Sequence, residues 1–106
     1  MRDTLVRIKR AVLAGRYAFS EKARTEMEAD RLTESDVAES IINAVAIYKR
    51  LRSRSPLRSR RAEYLYTIQA TTFEGAMVYS KGKLITEGGE DRFYFLVSSK
   101  LSLIHI

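Results

Sequence analysis

The chain has 106 residues, of which 45% are hydrophobic and none is cysteine. This length is enough for a single domain, residues 1–106, with one modest core. The absence of cysteine excludes disulfides, thiol nucleophiles and thiolate-ligated metals. Because His105 is the one histidine, we expect no metal site and no other cofactor.

Nothing near the N-terminus is typical of a targeting segment. The opening stretch MRDTLVRIKRAVLAG is interrupted by Arg7, Lys9 and Arg10, which the apolar core of a signal peptide would lack. No run approaches the length of about 18 apolar residues that would favour a membrane span. We therefore expect a soluble, cytoplasmic protein without a membrane partner.

Residues 1–45 have the apolar periodicity of helices. Ser20 precedes EKARTEMEAD and Thr33 precedes ESDVAESIINAV, and both are residue types that begin helices by accepting a backbone N–H. Acidic side chains in this part are interpreted as solvated helix faces, which argues against a carboxylate-based hydrolase. They are Glu21, Glu26, Glu28, Glu34, Asp36 and Glu39.

The segment 49–61 carries the excess positive charge of the chain. Its sequence, KRLRSRSPLRSRR, contains seven cations and no acid, whereas the remaining 12 basic residues are balanced by 13 acidic ones. Six of the seven are arginine, whose guanidinium makes bidentate contacts with phosphate. We interpret 49–61 as an exposed, irregular basic arm that binds nucleic acid; the alternative is a solvated loop. The stretch AIYKRLR, which overlaps the start of this arm, could instead form a short strand.

Residues 63–101 change to a period of two, which predicts an antiparallel β-meander. Gly75 and the pair Gly88 and Gly89 mark the turns between its strands. Helices followed by such a meander indicate the α+β class, with the N-terminal helices packed on one face of a small antiparallel sheet.

Lysines at the ends of the predicted strands are the candidate catalytic groups. Lys81 and Lys83 follow the stretch AMVY, Lys100 follows FLVSS, and Lys49 opens the basic arm. A single lysine there is ordinarily a solvated residue that discourages edge aggregation, but several that converge favour an anion between them. Tyr79, two positions before Lys81, belongs either to the core or to a site where it stacks on a base or transfers a proton.

The order of these motifs resembles a known family. The stretches RIKRAVLAGRYAFSEKARTEMEADRLTESDV, VYSKGK and FLVSSK are similar to small toxin domains encoded beside YgiT-type zinc-finger antitoxins, and more distantly to the MqsR toxins of the RelE-like superfamily. The resemblance covers most of the chain. It implies a RelE-like fold and an RNA-cleaving toxin, an mRNA interferase, silenced by a cognate antitoxin of the zinc-finger or helix-turn-helix type.

The same resemblance implies roles for individual residues. Lys49 in IYKR, Tyr79 in MVYSK and Lys100 in LVSSK are similar to positions of the MqsR-like pattern, and Gln69 is a candidate for its glutamine. Lys22 stands where the family commonly has a histidine, so the role of that histidine has no counterpart in this chain.

These residue types suit metal-independent RNA cleavage, in which the 2′-hydroxyl is the nucleophile. We expect a lysine beside other cations to be the base, and Lys81, Lys100 and an arginine such as Arg60 to hold the phosphate. The predicted nucleic-acid contacts are Arg52, Arg54, Arg58, Arg60, Arg61 and Lys83. Two alternatives stay open: a non-catalytic RNA- or DNA-binding module, and a structural protein whose basic arm engages an acidic partner.

Overall fold

The computed structural model describes residues 2–52 and 63–102, which form three helices and one five-stranded sheet. This arrangement confirms the α+β class expected from the sequence. The elements in chain order are α1 (Arg2–Leu13), β1 (Tyr17–Phe19), α2 (Glu21–Asp30), α3 (Glu34–Asn43), β2 (Lys49–Arg52), β3 (Tyr64–Thr71), β4 (Met77–Glu87) and β5 (Glu90–Leu101).

Two helices begin at the capping residues that the sequence predicts. Ser20 Oγ accepts a hydrogen bond from the Ala23 N–H at 3.1 Å. Thr33 and Asp36 form a reciprocal capping box, in which each side chain accepts from the backbone N–H of the other, at 3.0 and 2.9 Å. Both caps satisfy N–H groups that a helix cannot pair internally, so they fix where α2 and α3 start.

The strands are ordered β1-β5-β4-β3-β2 across the sheet. From β2 to β5 the pairing is antiparallel, as the meander predicts, but β1 pairs parallel with β5. The sheet is therefore mixed rather than purely antiparallel. The sequence does not reveal β1, because a strand of three residues is too short to show a period of two.

Two expectations about the basic residues are corrected by the strand boundaries. The start of the basic arm is not irregular, because Lys49–Arg52 forms β2, a short strand within AIYKRLR in which Leu51 pairs with Leu65. Residues 53–61 lie outside the described residues. Lys81 and Lys83 are not at a strand end, because β4 continues to Glu87. Only Lys100, the penultimate residue of β5, lies where a strand-end lysine was expected.

Gly82, within β4, packs closely against Tyr94 and the backbone of Phe95. A Cβ at this position would lie 2.6 Å from Cζ of Tyr94 and 2.8 Å from the carbonyl oxygen of Phe95. Glycine therefore leaves the space that the fully buried Tyr94 ring occupies.

The core lies between the sheet and the layer formed by α1 and α3, which contact each other and strands of the sheet. Its fully buried residues include Ile8, Ile41, Ile68, Val78, Tyr94 and Leu96. Because side chains alternate along a strand, Gln69, Tyr79 and Lys81 lie on the opposite face, which we call the open face. None of the helices in the described ranges is long and apolar enough to cross a membrane.

Helix α2 runs along the edge of β5 beyond the end of β1. The Ser99 N–H donates to the Glu26 carboxylate at 3.2 Å, and the Leu101 N–H donates to the Asp30 carboxylate at 2.8 Å. One helical turn of four residues rises about 6 Å, and two strand residues span about 6.8 Å. Two acids four positions apart on a helix can therefore accept hydrogen bonds from alternate N–H groups of a strand. On this edge of β5, α2 supplies the acceptors that a further strand would otherwise supply.

Gly82→Ala should destabilise the fold by about 1–3 kcal/mol, because the added methyl group overlaps Tyr94 and the backbone of Phe95. Urea denaturation measures the change. Lys83→Ala on the same strand is the matched control, and it should stay within about 0.5 kcal/mol of the parent because the Lys83 ion pair is partly exposed. Equal stability of Gly82→Ala and the parent would contradict the close packing at this position.

Candidate functional site

A concavity of about 580 Å³ lies on the open face, between the C-terminal end of α2 and the strands β2 and β5. Its polar lining consists of Asp30, Lys49, Thr67, Gln69, Tyr79, Lys100 and Ser102. Its apolar lining consists of Tyr48, Leu51 and Leu101. Three of the four predicted catalytic residues thus line one concavity.

Strand register explains why these residues converge. Tyr79 on β4 is opposite Gln69 on β3 and Lys100 on β5. Side chains of directly opposed residues share a face and lie about 5 Å apart at their Cβ atoms. In the next row of the same face, Lys81 is opposite Thr67, which is opposite Lys49. Lys81, the fourth predicted catalytic residue, is in this neighbouring row and does not line the concavity.

A β-bulge brings Lys100 to the open face. Lys81 pairs with Ser98, whereas the next residue, Gly82, pairs with Leu96, so Val97 is an extra residue in β5. Strict alternation would put Lys100 on the same face as the buried Leu96. The extra residue reverses the alternation. Tyr94 and Leu96, before the bulge, lie on the core face, whereas Lys100, after it, lies on the open face beside Tyr79.

Two of the predicted nucleic-acid contacts, Arg52 and Lys83, belong to the described residues, and neither lines this concavity. Arg52 is exposed on β2, three positions from Lys49, and alternation places it on the opposite face. Lys83 lies on the open face but outside the concavity, with its Nζ 4.0 Å from the Glu63 carboxylate. Arg54, Arg58, Arg60 and Arg61 lie outside the described residues.

Lys100 has an acidic neighbour and an aromatic neighbour. Its Nζ lies 3.9 Å from the Glu26 carboxylate and 5.5 Å from the centroid of the Tyr79 ring. Both neighbours attract a positive charge. Lys100 thus has a carboxylate beside it, and its side chain lines the concavity, where it can contact an anionic ligand.

Glu26 is a residue near the site that the sequence interpretation missed. It was interpreted as part of a solvated helix face, but its carboxylate is largely buried against β5. Its side chain is only 20% exposed, and it accepts from Ser98 Oγ at 2.7 Å and from the Ser99 N–H. Nζ of Lys22, the residue that stands where the similar toxins commonly have a histidine, lies 3.5 Å from Oε2 of Glu26. The sequence contains one signal for this role: Glu26 directly precedes the buried Met27 and follows the buried Ala23 by three positions, which places it beside the buried side of α2.

Opposing effects set the protonation of Glu26. Burial by itself would raise the pKa of its carboxyl, but the hydrogen bonds from Ser98 and Ser99 and the charge of Lys22 outweigh burial and hold that pKa below its ordinary value. The carboxylate therefore stays ionised at neutral pH and remains available to Lys100.

Tyr79 is affected in the opposite direction. Partial burial, and to a lesser extent the negative charge of Glu26, raise the pKa of its hydroxyl. The hydroxyl therefore keeps its proton at neutral pH. Next to two lysines, it can donate a hydrogen bond or a proton to an oxygen atom of a bound anion.

Comparisons of the chain with family models, with curated proteins and with solved structures each find no significant match. Within the ranges 2–52 and 63–102, no group of three or more His, Cys, Asp or Glu side chains is arranged to hold a metal ion. The groups of the concavity that can act on a bound anion include two lysines, Lys49 and Lys100, the protonated Tyr79 and the amide of Gln69.

Glu26→Gln should make stability less dependent on pH in the acid range. Because the folded-state pKa of Glu26 is lowered, its contribution is complete above the unfolded-state pKa of about 4.3 and is lost as pH falls through the folded-state pKa. We expect the parent to be more stable than Glu26→Gln by about 1–2 kcal/mol at pH 7, and the difference to shrink below about pH 4.5. Urea denaturation at several pH values measures it.

Glu28→Gln is the matched control for this measurement, because the Glu28 side chain is exposed on the same helix. It should leave stability nearly unchanged at every pH. A stability difference between the parent and Glu26→Gln that stays constant from pH 7 to pH 3 would show that charge on Glu26 does not hold α2 to β5.

Proposed function

We propose that this protein is a metal-independent endoribonuclease of the toxin type that cleaves RNA in the concavity of the open face. The observation that supports this proposal most is the convergence of Lys49, Tyr79 and Lys100 from three different strands. These are the residues to which the resemblance to MqsR-like toxins, and through them to the RelE-like superfamily, assigns catalysis. By the same resemblance, the enzyme is silenced by a cognate protein antitoxin. In keeping with the expectation from the sequence, we propose that it acts in the cytoplasm.

The charge around the concavity suits a phosphodiester. Lys49, Lys81 and Lys100 lie on one face, and they outnumber the two neighbouring carboxylates, Glu26 and Asp30. Each of these carboxylates already accepts a backbone N–H of β5, which reduces its repulsion of an incoming anion. The remaining positive charge favours the equatorial oxygens of the scissile phosphate, whose charge increases in the transition state.

Cleavage needs no nucleophile from the protein. The 2′-oxygen attacks phosphorus and its proton passes to water, the bond from phosphorus to the 5′-oxygen breaks, and Tyr79 donates a proton to that oxygen. The products are a 2′,3′-cyclic phosphate and a 5′-hydroxyl. Tyr79 can take the role of acid because its hydroxyl is protonated at neutral pH and its ring lies next to Lys100. Lys49 and Lys100 hold the phosphate, and neither is required as a base.

Lys100→Ala and Lys49→Ala should each slow cleavage of a labelled RNA by roughly 10²–10³-fold, because each removes a cation from the transition state. Tyr79→Phe should cause a loss of at least about 10²-fold if its hydroxyl is the acid. Lys9→Ala is the matched control, since Lys9 is on α1 on the other side of the sheet.

The cleavage rates of the purified variants are compared, with thermal melts to confirm that each variant is folded. Parental rates for both lysine variants would overturn the proposal, and RNA binding without cleavage by the parent would favour the non-catalytic module.

Expression of the parent in a bacterium without a partner protein should arrest growth, because an unrestrained ribonuclease depletes mRNA. Lys100→Ala, produced to the same level, should permit growth, since it removes catalysis while leaving an exposed strand-end position that contributes little to stability. Growth rate and the level of intact mRNA are the two readouts. Equal toxicity of the parent and Lys100→Ala would trace the arrest to something other than the proposed site.

A further inference from the structure

A second concavity, of about 490 Å³, lies between α1 and the start of β5. We call it the arginine concavity, because every described residue that lines it is charged and most are arginine: Arg7, Arg10, Arg16, Glu90, Asp91 and Arg92. Asp91 and Lys100 lie near opposite ends of β5, so the arginine concavity is roughly 30 Å along the strand from the concavity of the open face. The proposed cleavage site uses none of these residues.

The carboxylate of Asp91 is already neutralised by Arg7. The Arg7 guanidinium donates from Nε to Oδ2 at 2.9 Å and from Nη2 to Oδ1 at 2.7 Å, so both carboxylate oxygens are engaged. The hydrogen bonds from Arg7 lower the pKa of the Asp91 carboxyl, and the charge of Arg16 contributes in the same direction. Asp91 therefore holds Arg7 in place and repels an incoming anion only weakly.

Arg10 and Arg16 keep their guanidinium groups available to a ligand. In the described ranges, neither side chain forms a hydrogen bond or an ion pair. Arg10 is exposed and follows Arg7 by three positions on α1, so both lie on one face of the helix. Arg16 is also exposed, but its backbone is fixed: its N–H donates to the Ala11 carbonyl at 2.8 Å, and its carbonyl accepts from the Tyr94 N–H at 3.0 Å.

Positive charge is in excess around the arginine concavity. Its described lining has four guanidinium groups and two carboxylates. Arg92 also pairs with Glu87, which is outside the lining, with Nε 3.2 Å from Oε2. These two side chains are 58% and 72% exposed, so their pair contributes little and can open. An anion therefore meets a net positive surface even when Glu87 is counted.

The chemistry of the lining favours a phosphate over a base or a protein surface. Guanidinium groups make bidentate contacts with phosphate oxygens. Among the described residues, no aromatic or aliphatic side chain lines the arginine concavity. It therefore offers no ring on which a base could stack, and none of the apolar pockets that anchor the centre of a protein interface.

We propose that the arginine concavity binds a backbone phosphate of the RNA substrate, remote from the scissile bond, through Arg10 and Arg16. The inference rests on the proposed function for its ligand, RNA, and adds that the substrate is a long RNA, since only a strand that extends well beyond the open face reaches both concavities. A contact made equally in the substrate complex and in the transition state strengthens binding without changing the rate of the bound complex. The arginine concavity thus sets affinity for long RNA, and the open face carries cleavage.

The test measures binding of 2′-O-methyl RNA, which lacks the nucleophile and cannot be cleaved, at lengths of about 4 and about 16 nucleotides. Arg10→Gln combined with Arg16→Gln should weaken binding of the long RNA by about tenfold or more, because two charge-assisted contacts are lost. The short RNA cannot bridge the two concavities, so its affinity should fall by no more than about twofold. For the long RNA, the slope of log affinity against log salt should decrease by about 1.4, since each single-strand phosphate contact contributes about 0.7.

Arg24→Gln combined with Arg31→Gln is the matched control. It removes the same charge from α2 and its C-cap, and neither residue lines either concavity. Both RNAs should bind this control as they bind the parent. Because Arg10 and Arg16 are exposed, thermal melts of the double variant should match the parent. In cleavage of a long RNA, the double variant should raise KM and leave kcat unchanged.

Parental affinity of the Arg10 and Arg16 double variant for the long RNA would overturn the inference. So would an equal loss in the control, which would trace binding to net charge alone. Displacement of the long RNA from the parent by an equal concentration of polyglutamate or inorganic phosphate would reassign the surface to an acidic protein or to free phosphate, and would also overturn it.

The outcomes for the two proposals are distinguishable. Cleavage of long RNA with the same KM in the parent and the double variant would leave the ribonuclease intact and remove the phosphate site alone. Length-dependent binding through Arg10 and Arg16 in a protein that cleaves no RNA would leave the phosphate site and remove the ribonuclease. Failure of the parent to bind the long RNA more tightly than the short one would overturn the phosphate site even if RNA is cleaved.

Discussion

The pairing of two carboxylates on α2 with the exposed edge of β5 is the contact on which the rest of this molecule depends. β1 satisfies only part of that edge, and Glu26 and Asp30 accept the N–H groups of Ser99 and Leu101 beyond it. An unpaired backbone N–H at a partly buried edge costs about as much as a lost hydrogen bond. The carboxylates therefore hold α2 beside the sheet and also end the sheet on that side.

The same contact sets the charge of the candidate site. Glu26 is ion-paired with Lys100 on the open face, and its negative charge contributes to the raised pKa of Tyr79. One carboxylate thus has a structural role toward the backbone of β5 and an electrostatic role toward two residues of the concavity. Changes at Glu26 are expected to alter stability and site chemistry together, whereas Lys100 and Tyr48, which are exposed, can be changed with little effect on the fold.

The open face differs from the core face in how closely its side chains pack. On the core face, Tyr94 fills the space above Gly82 and the packing is closed. On the open face, an aromatic ring, two lysines and a glutamine amide surround a concavity. Tyr48 and Lys100 are exposed there, so folding depends little on their side chains and they can contact a ligand.

The sequence by itself determined the α+β class, the caps at Ser20 and Thr33, and three of the residues that line the concavity, Lys49, Tyr79 and Lys100. Caps, turns and alternation are local signals, because they depend on residues a few positions apart. Only the tertiary structure decided the parallel pairing of β1, the bulge at Val97 that turns Lys100 to the open face, and the role of Glu26. These features depend on partners far apart in the chain: Glu26 and Ser98 are separated by 72 residues. A bulge changes which face every later side chain of its strand occupies, and whether a helical acid is solvated depends on the backbone that packs against it.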